Sequence, residues 1–354
     1  MDEPSSERRE RSAFALDAVG QRAKAAAKAA WWSAAGGLAR AITRPTQGES
    51  ARSFQPEGAP VSKARLRRAY LEAFEKDARD VAAGLYPAVE DAPTRPIKSL
   101  LRALDFLVDA RAVDQRRRRG DGAEIRSEAE TEAYPNYYRQ NFHYQSGGWF
   151  TAESARRYDA QVEALFAGTA GAMRRRGLAL LAKHWRGRDH RDLKLVDAAC
   201  GSGAFLRDLK AAFPRAAIAG LDLSSAYLAK ARRRSGVGTV QANIETLPFA
   251  DGSLDAVSCV YLFHELPPRV RPVVAAAIAR SLKPGGVLVF VDSVQPIDEP
   301  DLARLLEAFP AYFHEPYYST YAQTDLAALF SGAGLRLVDQ DQAFLTKAML
   351  FEKA

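Results

Sequence analysis

Cysteine, histidine and methionine are scarce: two, five and three in 354 residues. Both cysteines, Cys200 and Cys259, fall in apolar runs read as core strands. That excludes a disulfide framework and points to a reduced, cytoplasmic protein. No Cys-x-x-Cys or His-x-x-x-His spacing occurs, so no metal site is read. No run reaches the roughly eighteen apolar residues of a membrane span. The opening Met1-Asp2-Glu3-Pro4 carries charge and no apolar core, unlike a secretory signal. The chain also lacks a Gly-x-x-x-x-Gly-Lys-Ser/Thr loop and a Gly-x-Ser-x-Gly elbow, which argues against a nucleoside triphosphatase and a serine hydrolase of the elbow type.

The length allows about two ordinary domains, and 47% apolar residues suffice for a substantial core. The formal charge of +7 is modest. A solvated, arginine-rich surface accounts for it, and no nucleic-acid partner is expected. Residues 1–60 read as a basic, unfolded tail dominated by Ala, Ser, Gly, Pro and charges. Within it, residues 21–42 are alanine-rich and carry Trp31-Trp32 among lysines and arginines. This stretch is read either as a weak membrane-surface contact or as a helix that is solvated or packed on the domain.

Residues 61–170 form a helical region. Leu66, Tyr70, Leu71 and Phe74 recur on one helical face, and Leu100, Leu101, Leu104 and Leu107 mark a second helix. The run Arg116–Arg119 reads as a solvated helix end favoured by the helix dipole. Residues 134–150 are crowded with aromatics, Asn, Gln and His in no regular period. They read as a lid over a ligand or as an aromatic strap that packs the helical region on the core. Thr151 and Ser154 open the next helix.

From residue 171 onward helices and apolar runs alternate, which implies a mostly parallel sheet covered on both faces. Strands are predicted at 193–199, 216–221, 238–241, 254–261, 287–292, 335–339 and 344–352. Helices are predicted at 204–213, 224–234, 269–282 and 324–333. The stretch from Leu195 to Asp222 organises this half. An apolar run ends at Asp197 and opens into Cys200-Gly201-Ser202-Gly203; a short helix follows, and a second apolar run ends at Asp222. Glycine at 201 and 203 permits positive φ and lets a ligand lie against bare backbone. The following helix N-terminus offers free N–H groups, and Asp222 is placed to accept from both hydroxyls of a ribose. A dinucleotide fingerprint would want a third glycine where Leu206 stands, and Asp197 is out of place beside a pyrophosphate. An adenosine joined to an amino acid through a sulfonium suits that acid better.

This stretch resembles the first motif of class I S-adenosylmethionine-dependent methyltransferases. Residues 241–257, with Asn243, Leu247-Pro248 and Leu254-Asp255, are similar to the adenine segment and fourth strand of the small-molecule branch related to the ubiquinone/menaquinone C-methyltransferases. Ser281-Leu282-Lys283-Pro284-Gly285-Gly286 resembles that branch's turn before strand five. The resemblance covers residues 194–290 well and the remainder loosely. It implies an α/β, Rossmann-like, seven-stranded methyltransferase sheet covered by helices, with the last strand inserted antiparallel, over residues 171–354. It also implies S-adenosyl-L-methionine as cofactor, held by Asp197, Ala199, Gly201, Gly203, Asp222, Leu223, Asn243, Ile244 and Val260. The family's adenine-binding acid is matched here by Asn243, which keeps a carbonyl acceptor without the charge.

The acceptor is expected to be a small molecule, aromatic or lipid-like. Candidate catalytic residues are His264 and Tyr261, which follow the fourth strand, and Tyr317 in a tyrosine-rich insertion after the fifth. His264, as neutral imidazole, would accept a proton; a histidine that caps or packs is the other reading. Glu265 is expected to be exposed or helix-associated. Two rival functions stay open: a non-enzymatic module with this fold that works through its N-terminal half, and a nicotinamide-dependent reductase, which Leu206 and Asp197 disfavour.

Overall fold

The computed structural model describes residues 56–89 and 134–354, with scattered positions between 20 and 34 and between 113 and 127. The second apolar helix expected near residue 100 and most of the Arg116–Arg119 run lie outside the described residues.

The apolar run after Leu193 becomes strand β1 (Lys194–Ala198), the centre of the molecule. Leu195 faces one core layer, while Val196 and Ala198 face the other. A strand buried on both faces reads as a continuous apolar run. β1 pairs in parallel with β2 (Ala217–Asp222) and with β4 (Leu254–Val260). β3 (Gly238–Gln241) extends the β2 side and β5 (Leu282–Ser293) the β4 side, both in parallel. The chain closes with a hairpin of β6 (Leu335–Ala343) and β7 (Thr346–Lys353), and β7 inserts antiparallel beside β5. The seven-stranded order is β3-β2-β1-β4-β5-β7-β6. Chain direction across the sheet reverses at β1, so a crevice opens at the carboxyl ends of β1, β2 and β4.

Helices cover both faces. On one lie α6 (Arg271–Ser281) and α9 (Leu326–Gly332), which send Val274, Ile278, Leu326 and Phe330 against Phe290 and Phe351. On the other lie α3 (Ala170–His184) and α4 (Ala204–Ala212), with Leu178, Leu181, Phe205 and Leu209 against Val289 and Leu350. α5 (Ser225–Ser235) packs beyond α4.

The N-terminal helix α1 (Lys63–Ala82), capped by Ser62, is fastened by charge as well as by apolar contact. Arg175 on α3 grips both carboxylate oxygens of Asp77 at 2.6 and 2.8 Å and reaches Asp208 at 3.4 Å. Arg176 reaches Asp80 at 2.6 Å and Asp341 at 3.2 Å. Both arginines are 2% exposed, so each buried charge depends on its partners. Helical residues also occur within the segment read as an unfolded tail: Lys28 is buried and meets Glu163 at 2.9 Å. Among the described residues, no helix is long and apolar enough to cross a membrane.

Candidate active site

The glycine turn shapes the crevice floor. Gly201 and Gly203 have φ of +51° and +74°. A Cβ at Gly201 would meet nothing within 4 Å, so that backbone faces open space. A Cβ at Gly203 would lie 2.7 Å from the Cα of Ala231, so this glycine lets α4 and α5 approach. Asp222 ties the floor to the second strand: Oδ2 accepts from the Gly201 N–H and Oδ1 from the Ser224 N–H, each at 2.8 Å.

The irregular segment 134–150 crosses this crevice. Tyr137 donates to Glu245 at 2.7 Å, and the Ser224 hydroxyl donates to the Trp149 carbonyl. Gln145 donates to the Tyr227 hydroxyl at 3.0 Å and also to Ser154. α2 (Ala152–Leu165) continues from it, with Tyr158 stacked edge-on against Trp149.

Beneath this strap lies a cavity of about 100 Å³. Ala199, Gly201, Asp222, Leu223, Asn243, Ile244, Val260 and Tyr261 all line it. Asp197 and Gly203 do not. Asp197 is buried behind the wall, where Ser258 donates to Oδ1 at 2.7 Å and Oδ2 has no partner. Asn243 lines the cavity while capping the next turn, accepting from the Glu245 N–H at 3.0 Å and donating to its carboxylate at 3.1 Å. Tyr137, Tyr138, Trp149, Tyr158 and Tyr227 complete the wall. The segment reads from sequence as a lid or as a packing strap, and aromatics without a period give no signal of which rings face a cavity.

A second cavity of about 60 Å³ adjoins the first and shares Tyr158, Tyr261 and Glu265 with it. Val162, Phe166, Met173, Leu306, Phe309 and Leu345 make its walls mostly apolar. The helix α7 (Ala303–Tyr312) supplies Leu306 and Phe309. His264 lines this cavity rather than the first. Tyr317 lines neither: its carbonyl accepts from Arg271 at 2.9 Å just before the short helix α8 (Tyr318–Ala322). Tyr261 sits between the cavities, with its hydroxyl 2.6 Å from that of Thr346. Glu265, expected to be exposed or helix-associated, ends the short 3₁₀ helix Phe263–Glu265 and lines both cavities at their junction.

A methyltransferase-domain family matches residues 195–286. An uncharacterized methyltransferase of Synechocystis is 32% identical over 149 residues, which cover 41% of this chain and 68% of that one. The chain belongs to the class I S-adenosylmethionine-dependent methyltransferases. A ubiquinone/menaquinone biosynthesis C-methyltransferase of Methylobacterium nodulans is 32% identical over 162 residues, or 44% of this chain. The match spans 62% of that relative's own length. A fatty-acid O-methyltransferase of Mycolicibacterium smegmatis is 35% identical over 120 residues, covering 33% of this chain and 43% of the relative. Those last two relatives are named for different chemistry, C-methylation in ubiquinone/menaquinone biosynthesis and O-methylation of fatty acids.

The electrostatics of this methyltransferase are set by burial. Burial pushes the Asp197 carboxyl up to about 7 against the Ser258 hydrogen bond. A cationic ammonium beside the partnerless Oδ2 would relieve that cost, so the site fits the amino-acid end of the family's cofactor. Burial also raises Asp222, opposed by the backbone N–H groups of Ser224 and Gly201.

His264 departs from the neutral base that its position suggested. Burial alone would lower its pKa, but Asp292 faces Nδ1 at 2.6 Å, and the carboxylate's charge and hydrogen bond push the ring up to about 9. Asp292 is itself oriented by the N–H groups of Phe263, His264 and Ser293, at 2.9, 3.3 and 2.7 Å. The pair thus favours the charged ring over the neutral one and commits Nδ1 to Asp292. Burial raises the carboxyls of Glu265 and Glu315 and lowers His143 to about 3. Among the described residues no group of three or more His, Cys, Asp or Glu side chains could hold a metal ion.

Proposed function

We propose that this chain binds S-adenosylmethionine in the first cavity and transfers its methyl group to an apolar small molecule seated in the second. The observation that carries this is the junction: two cavities, one floored by the glycine turn and one walled by aliphatic and aromatic side chains, share Tyr158, Tyr261 and Glu265. In this reading Asp222 accepts from the ribose hydroxyls, and Gly201 leaves room for the chain beyond the ribose. Asp197 balances the ammonium, and Asn243 and Ile244 flank the adenine. The cofactor brings an activated methyl carbon bonded to a sulfonium. The protein's share is to hold the acceptor atom in line with that carbon and to keep water out. Tyr137, Tyr138 and Trp149 of the strap serve the second purpose. The family's known acceptors, quinone precursors and fatty acids among them, agree with an apolar second cavity.

Calorimetry with S-adenosylmethionine, S-adenosylhomocysteine and NADH tests the cofactor half. Binding of the first two, with none of the third, is expected. Equal or tighter NADH binding would overturn it. Mass spectrometry of small molecules that copurify with the full chain tests the acceptor half, where an apolar compound and its methylated form are expected.

A further inference from the structure

We infer that the second cavity takes an apolar carboxylic acid as its carboxylate, with one oxygen on Nε2 of His264, so that methyl transfer gives a methyl ester. The inference rests on the methyl-transfer reading above and adds what that reading leaves open, the chemical class of the acceptor.

The geometry around His264 is one-sided. Asp292 occupies Nδ1 at 2.6 Å and is fixed by three backbone N–H groups. A carboxylate so placed can only accept, so Nδ1 carries its proton. That leaves Nε2 for the cavity that the ring lines, and among the described residues no hydrogen bond occupies it. His264 is 7% exposed, in a cavity whose other walls are mostly Val162, Phe166, Met173, Leu306, Phe309 and Leu345. A cation in apolar surroundings is stabilised most by an anion that brings its own apolar body.

The neighbours weigh against the alternatives. The titratable groups facing His264 are Asp292, Glu265, Glu315 and His143, with the rings of Tyr318 and Tyr321 at 6.1 and 6.2 Å. Burial favours the protonated form of both glutamic acids, and both Glu315 oxygens lack a hydrogen-bond partner. Burial lowers the pKa of His143 to about 3, which makes it a feeble base. Asp292 is consumed by its four donors. A neutral alcohol or phenol must also give up a proton, which a charged His264 with Nδ1 on Asp292 is poorly placed to take, whereas a carboxylate needs no such step. A lone pair on the carboxylate oxygen forms the new O–C bond as the C–S bond breaks. The departing electron pair stays on sulfur, leaving a neutral thioether and a methyl ester. No proton moves, and the negative and positive charges cancel. Glu265 borders both cavities and, as a carboxylic acid, can donate to the second carboxylate oxygen.

The probes are decanoate, decanol and para-octylphenol, titrated by calorimetry into the full chain at neutral pH, with S-adenosylmethionine binding measured separately. Decanoate should bind about tenfold or more tighter than either neutral probe, the return expected of a charge-assisted hydrogen bond. His264→Gln should lose that preference while still binding decanol. The histidine ring signal of His264 in an NMR spectrum of the wild type should move on addition of decanoate. Equal binding of decanoate and decanol by the wild type would overturn the inference, and that comparison needs no variant to fold. Tighter binding of para-octylphenol, or a preference that survives in His264→Gln, would also overturn it. Failure to bind S-adenosylmethionine with the decanoate preference intact would instead remove the methyl-transfer reading and leave a carboxylate-binding cavity.

Discussion

Replacing Asp222 with alanine separates two jobs that one carboxylate does. Its oxygens accept from the N–H groups of Gly201 and Ser224, each at 2.8 Å, and the same side chain lines the first cavity. In Asp222→Ala both N–H groups lose their partner at the rim of a crevice that water can enter. The ribose of the cofactor would lose an acceptor for both hydroxyls. A hydrogen bond to a charged group is worth about 1.5–3 kcal/mol net, so S-adenosylmethionine affinity should fall about ten- to a hundredfold. Asp222→Asn keeps one carbonyl acceptor for a backbone N–H but cannot serve both hydroxyls, so its loss should be smaller. Burial raises the wild-type carboxyl, which means the charge is held at some cost. The alanine variant should therefore lose affinity out of proportion to any change in melting temperature. Calorimetry against S-adenosylmethionine, beside circular dichroism and thermal melts, gives both quantities. A folded variant with unchanged affinity would refute the placement of the ribose on Asp222.

Four further outcomes follow from other parts of the molecule. Gly203→Ala forces a Cβ to 2.7 Å from the Cα of Ala231 at φ of +74° and should cost about 1–3 kcal/mol in urea unfolding, with cofactor binding weakened through the displaced turn. Asp77→Ala leaves the buried Arg175 guanidinium without its two-pronged partner and should cost about 3–5 kcal/mol, read as a lower urea midpoint. Deleting residues 1–60 should spare cofactor binding, whereas deleting residues 1–150 removes Tyr137, Tyr138 and Trp149 from the cavity wall and should weaken it; equal affinity of the two truncations would remove the covering role of the strap. The folded pKa of His264, about 9, lies above its ordinary value of 6.5, so its stabilisation is complete below pH 6.5 and is lost as pH rises through 9. Over that window wild type should lose about 3 kcal/mol that His264→Gln does not lose, measured by urea unfolding at each pH.

The central half of the sheet was legible because its strands are buried on both faces. Leu195–Ala198 and Val287–Val291 send alternate residues into opposite core layers, so every position but Asp197 is apolar and the run stands out. The edges were less so. Lys283-Pro284-Gly285-Gly286 reads as a turn, yet β5 begins at Leu282, which pairs with Leu254 before the register shifts to Ala256 against Val287. The turn residues are an irregularity inside the strand, with Gly285 at φ of +72°. The last hairpin was misjudged at its tip. Phe344 was placed in the final strand, but Ala343 pairs with Thr346 and Phe344 adopts φ of +51° in the connection. Hairpin tips usually announce themselves with glycine or asparagine, and a phenylalanine there gives no such warning.

Carboxylates at strand ends show where reading a residue type stops being informative. Asp197, Asp222 and Asp292 all stand at the carboxyl edge of the parallel strands β1, β2 and β5, and each could be read as a ligand-facing acid. Their hydrogen bonds divide them. Asp222 spends both oxygens on backbone N–H groups and still borders the crevice. Asp197 is sealed behind the wall with one oxygen on Ser258 and one on nothing. Asp292 spends itself on three N–H groups and on His264, 28 residues away in sequence. That last partnership follows from topology: β4 and β5 run in parallel with Val260 opposite Val291, so the residues just beyond those two must meet. Once they do, Nδ1 of the histidine is committed to Asp292, and the carboxylate favours its charged form. The same adjacency that would orient the ring as a base is the one that, in the reading proposed above, lets Nε2 hold an anion.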